Sequence, residues 1–104
     1  MQLNLIYITF SNKEEAQKIA KTLLQERLVA CVNIFPVVHS MYWGKNKIHS
    51  DDEVVMIAKT KESLVDQVIA KVKSLHSYDC PCVVAFPLTH GNPDFLKWIE
   101  KVTK

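Results

Sequence analysis

The spacing of apolar and polar residues along the chain predicts its first two elements. Both alternating sets of positions in Leu3–Phe10 carry apolar residues, which is typical of a β-strand covered on both faces. The segment Ser11–Glu14 fits a capping box, in which a Ser hydroxyl and a Glu carboxylate each accept a backbone N–H. Helical spacing follows and predicts a helix that ends at 25–27, with an apolar stripe of Ala16, Ile19, Ala20, Leu23 and Leu24.

The stretch from Leu28 to Thr60 predicts two long β-arms that reverse at 43–47. β-Branched and aromatic residues dominate both arms, and Gly44 with Asn46 mark the reversal. Each arm could run to roughly 50 Å at about 3.3 Å per residue, whereas a domain of this size has a radius of gyration of about 13 Å. We therefore expect the hairpin to bend at Pro36, which lacks a backbone N–H, and to be covered by other chains.

The second half of the chain predicts a helix, a short strand and a last helix. A helix begins at Thr60–Ser63, and its buried face would consist of Leu64, Val68, Val72 and Leu75, widened by Val65 and Ile69. A loop over 74–81 and the apolar strand Cys82–Pro87 follow. A helix then begins at Asn92–Pro93 and has an apolar face of Phe95, Trp98, Ile99 and Val102. The order predicts one α+β, ferredoxin-like βαββαβ domain over 1–104, with an extra C-terminal helix.

Apolar residues on both faces of the predicted sheet imply that it has a partner. Two helices cover only one face of a four-stranded sheet, and an open apolar face of this length favours aggregation. The two faces of the first arm alternate between Leu28, Ala30, Val32, Ile34 and Val29, Cys31, Phe35. We therefore expect oligomerisation through the sheet, in a number that this pattern leaves open.

The composition argues against several classes of function. A net charge of +2, with Arg27 as the only arginine among 104 residues, is too mild to indicate nucleic-acid binding. No apolar run approaches the ~20 residues of a membrane span, and Met1–Phe10 lacks the features of a signal peptide. The 3 Cys residues form no disulfide framework, so we expect a reducing, cytoplasmic environment.

Three segments together resemble the CutA family of divalent-cation tolerance proteins, with matching order and spacing over nearly the whole chain. They are Arg27–Pro36, Met41–Thr60 and His76–Ile99. The resemblance implies a ferredoxin-like subunit in a tight homotrimer with interlocking hairpins, similar in architecture to the PII signalling proteins. It also implies tolerance to copper and other divalent metals, without an established catalytic reaction.

The chain departs from the family pattern near the positions at which some family members carry metal ligands. His76-Ser77-Tyr78 replaces the usual His-Pro-Tyr, and Pro81-Cys82 replaces the usual Pro-Glu. Ile8 and Leu75 occupy the places of a Cys and a His that some members carry. Of those ligands, the resemblance therefore carries over only His76.

Cys80 and Cys82 suggest a metal site. Residues two apart in an extended segment point the same way, and His76 lies four residues upstream. Thiolate and imidazole ligands suit copper or zinc, with a fourth ligand from another subunit. In the alternative interpretation, Cys82 packs as a small hydrophobe and Cys80 is a loop residue.

A second candidate site is a cleft between subunits that binds a small ligand. Its lining would combine aromatic and polar side chains: Tyr42, Trp43, Glu53, Lys59, Tyr78, His90 and Trp98. We prefer the alternative, in which the aromatics fill a subunit interface and Glu53 pairs with Lys59. His39 and His49 could face each other across the hairpin.

The hypotheses rank as follows. Metal-ion tolerance by a cytoplasmic homotrimer comes first, a PII-like regulatory trimer second, and a scaffold for an unknown protein partner third.

The acidic run Asp51-Asp52-Glu53 could gather cations or simply be a solvated edge. Because the Cys and His residues form no evident nucleophile–base pair, we do not expect an enzyme.

Overall fold

The computed structural model describes residues 2–104 as four strands and three α-helices. They are β1 (Leu3–Phe10), α1 (Lys13–Gln25), β2 (Cys31–Gly44), β3 (Lys47–Lys61), α2 (Val65–Leu75), β4 (Val83–Leu88) and α3 (Pro93–Val102), with a 3₁₀ turn at Glu62–Leu64 before α2. The strands form one antiparallel sheet in the order β2-β3-β1-β4. This is the predicted ferredoxin-like arrangement with an additional C-terminal helix. None of the helices in the described range is long and apolar enough to cross a membrane.

The start of α1 differs by one residue from the predicted capping box. Asn12, not Ser11, is the N-cap, and its Oδ1 accepts the Glu15 N–H at 2.8 Å. The Asn12 backbone is extended at a φ of −151°, as an N-cap requires. Glu14 is therefore not a capping partner. The Glu15 carboxylate instead accepts two hydrogen bonds from Ser77.

The β2–β3 hairpin closes in a two-residue turn and bends once. Lys45 and Asn46 form the turn with φ values of 50° and 65°, which is the type I′ geometry that fits the twist of the strands. The register shifts at Pro36-Val37, where two residues of β2 face one residue of β3. The bend predicted at Pro36 is thus confirmed as a β-bulge.

The core lies between the helices and one face of the sheet. Its fully buried members include Ile6, Ile8 and Phe10 of β1, together with Leu23 of α1 and Met56 of β3. Leu75 was predicted to share this core, but it is 45% exposed because α2 ends there and the chain turns away.

The fourth strand, which contains Pro87, begins and ends one residue later than predicted. It runs from Val83 to Leu88 and pairs only with β1, so it is an edge strand of the sheet. A missing N–H is tolerated on such an edge.

The sheet face away from α1 and α2 carries apolar side chains, as predicted. The strand register assigns Phe35, Val55 and Ile57 to this open face, along with Val84 and Phe86. Phe35, Val84 and Phe86 are 46%, 43% and 52% exposed. Of the apolar face predicted for α3, Ile99 is buried whereas Phe95 and Trp98 are each 40% exposed.

A matched pair of leucines tests this description of the core. Leu23→Ala removes a fully buried side chain, and we expect it to lower the free energy of unfolding by about 2–5 kcal/mol in urea denaturation. Leu75→Ala, at 45% exposure, should cost less than about 1 kcal/mol. Equal losses in the two variants would contradict the position of Leu75.

Candidate functional site: an acidic cavity beside the hairpin

An open cavity of about 940 Å³ lies between the β2–β3 hairpin and the loop that follows α2. The bulged hairpin provides one wall, the outer residues of β1 form the floor, and the loop provides the opposite wall. Its lining residues are Tyr7, Thr9, Ser11, Ser40, Met41, Tyr42, Asp51, Asp52, Glu53, Tyr78, Asp79, Cys80 and Cys82. The two halves of the chain thus meet here.

The lining is acidic and contains two thiols. Four carboxylates, from Asp51, Asp52, Glu53 and Asp79, share the cavity with Cys80 and Cys82. No Lys, Arg or His is present among the described lining residues. Charge of one sign in a concave site concentrates ions of the opposite sign, so this cavity attracts cations.

Two tyrosines hold two of these carboxylates in place. The Tyr78 hydroxyl donates to Glu53 Oε2 at 2.7 Å, and the Tyr42 hydroxyl donates to Asp51 Oδ2. Burial raises the pKa of Tyr78, and the hydrogen bond and charge of Glu53 raise it further. The pKa of Tyr42 is raised chiefly by its hydrogen bond to Asp51. Both phenols are therefore neutral donors at physiological pH.

The same negative field acts on Cys82. Burial raises the pKa of its thiol, and the charge of Glu53 raises it further. Cys82 is therefore a protonated thiol at neutral pH, and it lines the cavity together with Cys80. A cation beside Glu53 would offset that charge and favour the thiolate, the form that binds metals.

His76 fixes the loop that carries the cavity wall. Its Nε2 donates to the Thr9 carbonyl oxygen at 2.8 Å, and its Nδ1 accepts the Tyr78 N–H at 3.0 Å. The ring also stacks on Phe10 with the centroids 4.8 Å apart. Both ring nitrogens are thus engaged, so His76 positions Tyr78 in this conformation.

Glu15 provides a second anchor for the same loop. Its carboxylate accepts the Ser77 N–H and the Ser77 hydroxyl, each at 2.9 Å. The N-terminal turn of α1 therefore holds the residue between His76 and Tyr78. Without these anchors the loop would be free to carry Cys80 away from the hairpin.

The three residues predicted as metal ligands are brought together only in part. Cys80 and Cys82 line the cavity, whereas His76 is outside its lining. Within residues 2–104, no group of three or more His, Cys, Asp or Glu side chains is arranged to hold a metal ion.

The predicted ligand cleft is divided among separate regions of the chain. Tyr42, Glu53 and Tyr78 lie together in the cavity, and Trp43 is 73% exposed near the hairpin turn. The other three residues lie elsewhere: Lys59 donates to Asn33 at 3.3 Å, His90 contacts Thr89, and Trp98 lines a second cavity of about 370 Å³ beside Arg27.

Two pairings proposed for the hairpin, one along its second arm and one between its two arms, are corrected by the structure. Glu53 binds Tyr78 and Lys59 binds Asn33, so the expected Glu53–Lys59 ion pair does not form. Six residues along a strand span about 20 Å, which is too far for contact. His39 faces Asp52 and His49 stacks on Tyr42 at 5.4 Å, so the two histidines do not meet.

Sequence reasoning missed Asp79 as a member of the site. It adds the fourth carboxylate, and its position directly before Cys80 was the available signal. The acidic run of β3 was noticed, but nothing in its spacing showed that it faces the thiols.

The comparisons with known proteins agree with this fold. The family model "CutA1 divalent ion tolerance protein" matches residues 4–102. The divalent-cation tolerance protein CutA of Archaeoglobus fulgidus is 45% identical over 101 residues, which cover 97% of this chain and 98% of that protein. The chloroplastic protein CutA 1 of Oryza sativa is 41% identical over 95% of this chain, which spans only 56% of that longer relative.

Solved structures of CutA proteins also superpose closely on this chain. The structure of CutA1 from Oryza sativa superposes with a TM-score of 0.97 at 39% identity, covering 100% of this chain and 95% of that one. The periplasmic divalent cation tolerance protein CutA of Archaeoglobus fulgidus gives 0.95 at 43% identity, covering 98% and 99%.

The electrostatic account of the cavity predicts the reactivity of Cys82. In Glu53→Gln the negative charge beside the thiol is lost, so the pKa of Cys82 should fall and alkylation by iodoacetamide at neutral pH should accelerate roughly two- to tenfold. Peptide mass spectrometry would measure the rate at Cys82. Glu62→Gln, remote on the 3₁₀ turn, is the control, and an unchanged rate in Glu53→Gln would refute the account.

Proposed function

This chain belongs to the CutA1 divalent ion tolerance family, and we propose that it contributes to metal tolerance by binding copper or zinc ions in the acidic cavity. The observation that carries the proposal is the lining itself, with four carboxylates and two thiols and no basic residue among the described ones. Such a lining favours cations over anions and offers both oxygen and sulfur ligands.

The two kinds of ligand have separate roles in this proposal. Carboxylates at the cavity rim attract hydrated divalent ions. Cys80 and Cys82 then bind the ion as thiolates, because sulfur ligands suit copper and zinc. Two thiolates leave a tetrahedral ion short of ligands, and a carboxylate or a residue of a second chain completes the set.

We propose that the second chain belongs to a homotrimer. The open face of the sheet carries Phe35, Val84 and Phe86, each more than 40% exposed in one chain. Burying such side chains stabilises by roughly 25 cal/mol per Å² of apolar area. Trimeric assembly, implied by the resemblance to the CutA family, would cover this face and bring further ligands to the cavity.

The proposed compartment is the cytoplasm, since all three cysteines are free thiols and a reducing environment keeps thiols available for metals. Among the relatives, one carries the word periplasmic in its name and another the word chloroplastic.

A second function is a regulatory, PII-like trimer that binds a small ligand. The observation in its favour is the pair of phenols, Tyr42 and Tyr78, on the walls of the same cavity. Aromatic surfaces with a few fixed polar groups are typical of small-molecule sites. A cationic ligand would fit the charge of the lining, and scaffolding of a protein partner would not require the cavity.

Calorimetric titration of the reduced protein with Zn²⁺ tests the primary function. We expect saturable binding that weakens at least tenfold in Cys80→Ser/Cys82→Ser. Because the pKa of Cys82 is raised, its proton competes with the metal, and affinity should rise between pH 6.5 and pH 8 by up to about tenfold per unit for each proton released.

The control for that titration is Cys31→Ser, which alters a thiol outside the cavity lining. It should bind Zn²⁺ as the wild type does. Equal binding by the wild type and the double variant would refute the thiol site and leave the small-ligand function as the alternative.

A further inference from the structure

Three polar side chains on the hairpin form a hydrogen-bonded series, of which Asp52 also lines the acidic cavity whereas His39 and Ser50 do not. The Ser50 hydroxyl donates to His39 Nε2 at 2.8 Å, and His39 Nδ1 donates to Asp52 Oδ1 at 3.3 Å. We propose that Ser50 is an activated nucleophile that accepts acyl groups from small apolar esters. Nucleophile, base and orienting carboxylate are connected in the order that acyl transfer by a serine requires.

The register of the hairpin creates this arrangement. His39 pairs with Asp52 and Met41 pairs with Ser50, so all four side chains lie on one face of the two strands. The imidazole sits between its directly opposite carboxylate and the diagonal hydroxyl. The hydrogen bond to Asp52 keeps the proton on Nδ1, which leaves Nε2 free to receive the proton of Ser50.

The reaction balances without any added cofactor. The Ser50 oxygen attacks the ester carbonyl carbon while its proton passes to His39 Nε2. The C–O bond to the leaving alcohol then breaks, and the same proton goes to the departing oxygen. The products are an acyl ester on Ser50 and the free alcohol, and water can later hydrolyse the acyl ester with His39 as the base.

The surroundings of Ser50 indicate the substrate class. Met41 lies directly opposite and Ile48 lies two residues before it on the same face, at 69% and 61% exposure. This apolar surface favours a hydrocarbon acyl group over a charged one. The substrates therefore belong to the small esters with an apolar acyl chain.

The site is accessible to such esters. The His39 and Asp52 side chains are 62% and 75% exposed. Ser50 is not part of the acidic cavity lining, and it alternates along β3 with Asp51 and Glu53, so it lies on the face opposite to the proposed trimer contact. Because no oxyanion donor is assigned within residues 2–104, we expect slow, nearly stoichiometric acylation instead of rapid turnover.

Incubation of the full chain with p-nitrophenyl butyrate tests the proposal. We expect one butyryl group, mapped to Ser50 by peptide mass spectrometry, and faster reaction than with p-nitrophenyl acetate. His39→Gln should slow acylation of Ser50 about 100-fold, since the general base is lost. Asp52→Asn should slow it at least about tenfold, because the imidazole loses the partner that orients it.

Ser63→Ala, an exposed serine on the 3₁₀ turn, is the control and should react as the wild type does. Far-UV circular dichroism must show the same fold in every variant. Butyrylation of Ser50 at an unchanged rate in His39→Gln, or labels spread over lysines and absent from Ser50, would overturn the proposal. Equal rates with acetate and butyrate would overturn the apolar preference. Labelling is measured without added metal, and His39 and Ser50 are not in the acidic cavity lining, so the results for His39→Gln and for the labelled site do not depend on metal binding. The two proposals can therefore fail separately.

Discussion

The register of the β2–β3 hairpin is the constraint on which the rest of this structure depends. A two-residue turn at Lys45-Asn46 fixes every cross-strand pair as far as Val38, and the bulge at Pro36-Val37 resets the pairing beyond it. A slip of one residue would move every hairpin side chain to the opposite face. The carboxylates of the cavity would then no longer face the thiols, and His39 would lose both of its partners.

The loop that follows α2 stabilises the acidic cavity, because it provides a hydrogen-bond donor to a carboxylate of the hairpin. Tyr78 donates to Glu53, and the loop that carries Tyr78 is itself held by His76 and Glu15. Four carboxylates in one open cavity repel one another, and phenol donors and solvent offset that repulsion. A bound cation would reduce the repulsion between the carboxylates more fully. The same four carboxylates thus explain both the electrostatics of the site and its proposed function.

Much of the fold could be predicted because its signals are local. The alternation in Leu3–Phe10 and the Asn92-Pro93 helix start depend on neighbouring residues alone, and the structure has both elements there. Ser11 and Leu75 were misplaced because competing caps and the exact helix end differ by small energies.

The site was less predictable because it depends on long-range contacts. Cys80 and Cys82 were recognised from their spacing, but the engagement of His76 by Thr9 involves residues 67 positions apart. His39 pairs with Asp52 and His49 with Tyr42 because the two-residue turn sets the register of the strands. Gly44 and Asn46 marked the reversal without showing which two residues formed the turn.

The most direct test of this account is the oligomeric state, because we propose that a homotrimer covers the apolar face of the sheet. Sedimentation equilibrium at micromolar concentration should give three times the chain mass of 11.9 kDa. Phe86→Glu, which places a charge on the open face, should shift the protein toward monomers. A wild-type chain that sediments as a stable monomer would contradict the account, since the open face would then need no second copy.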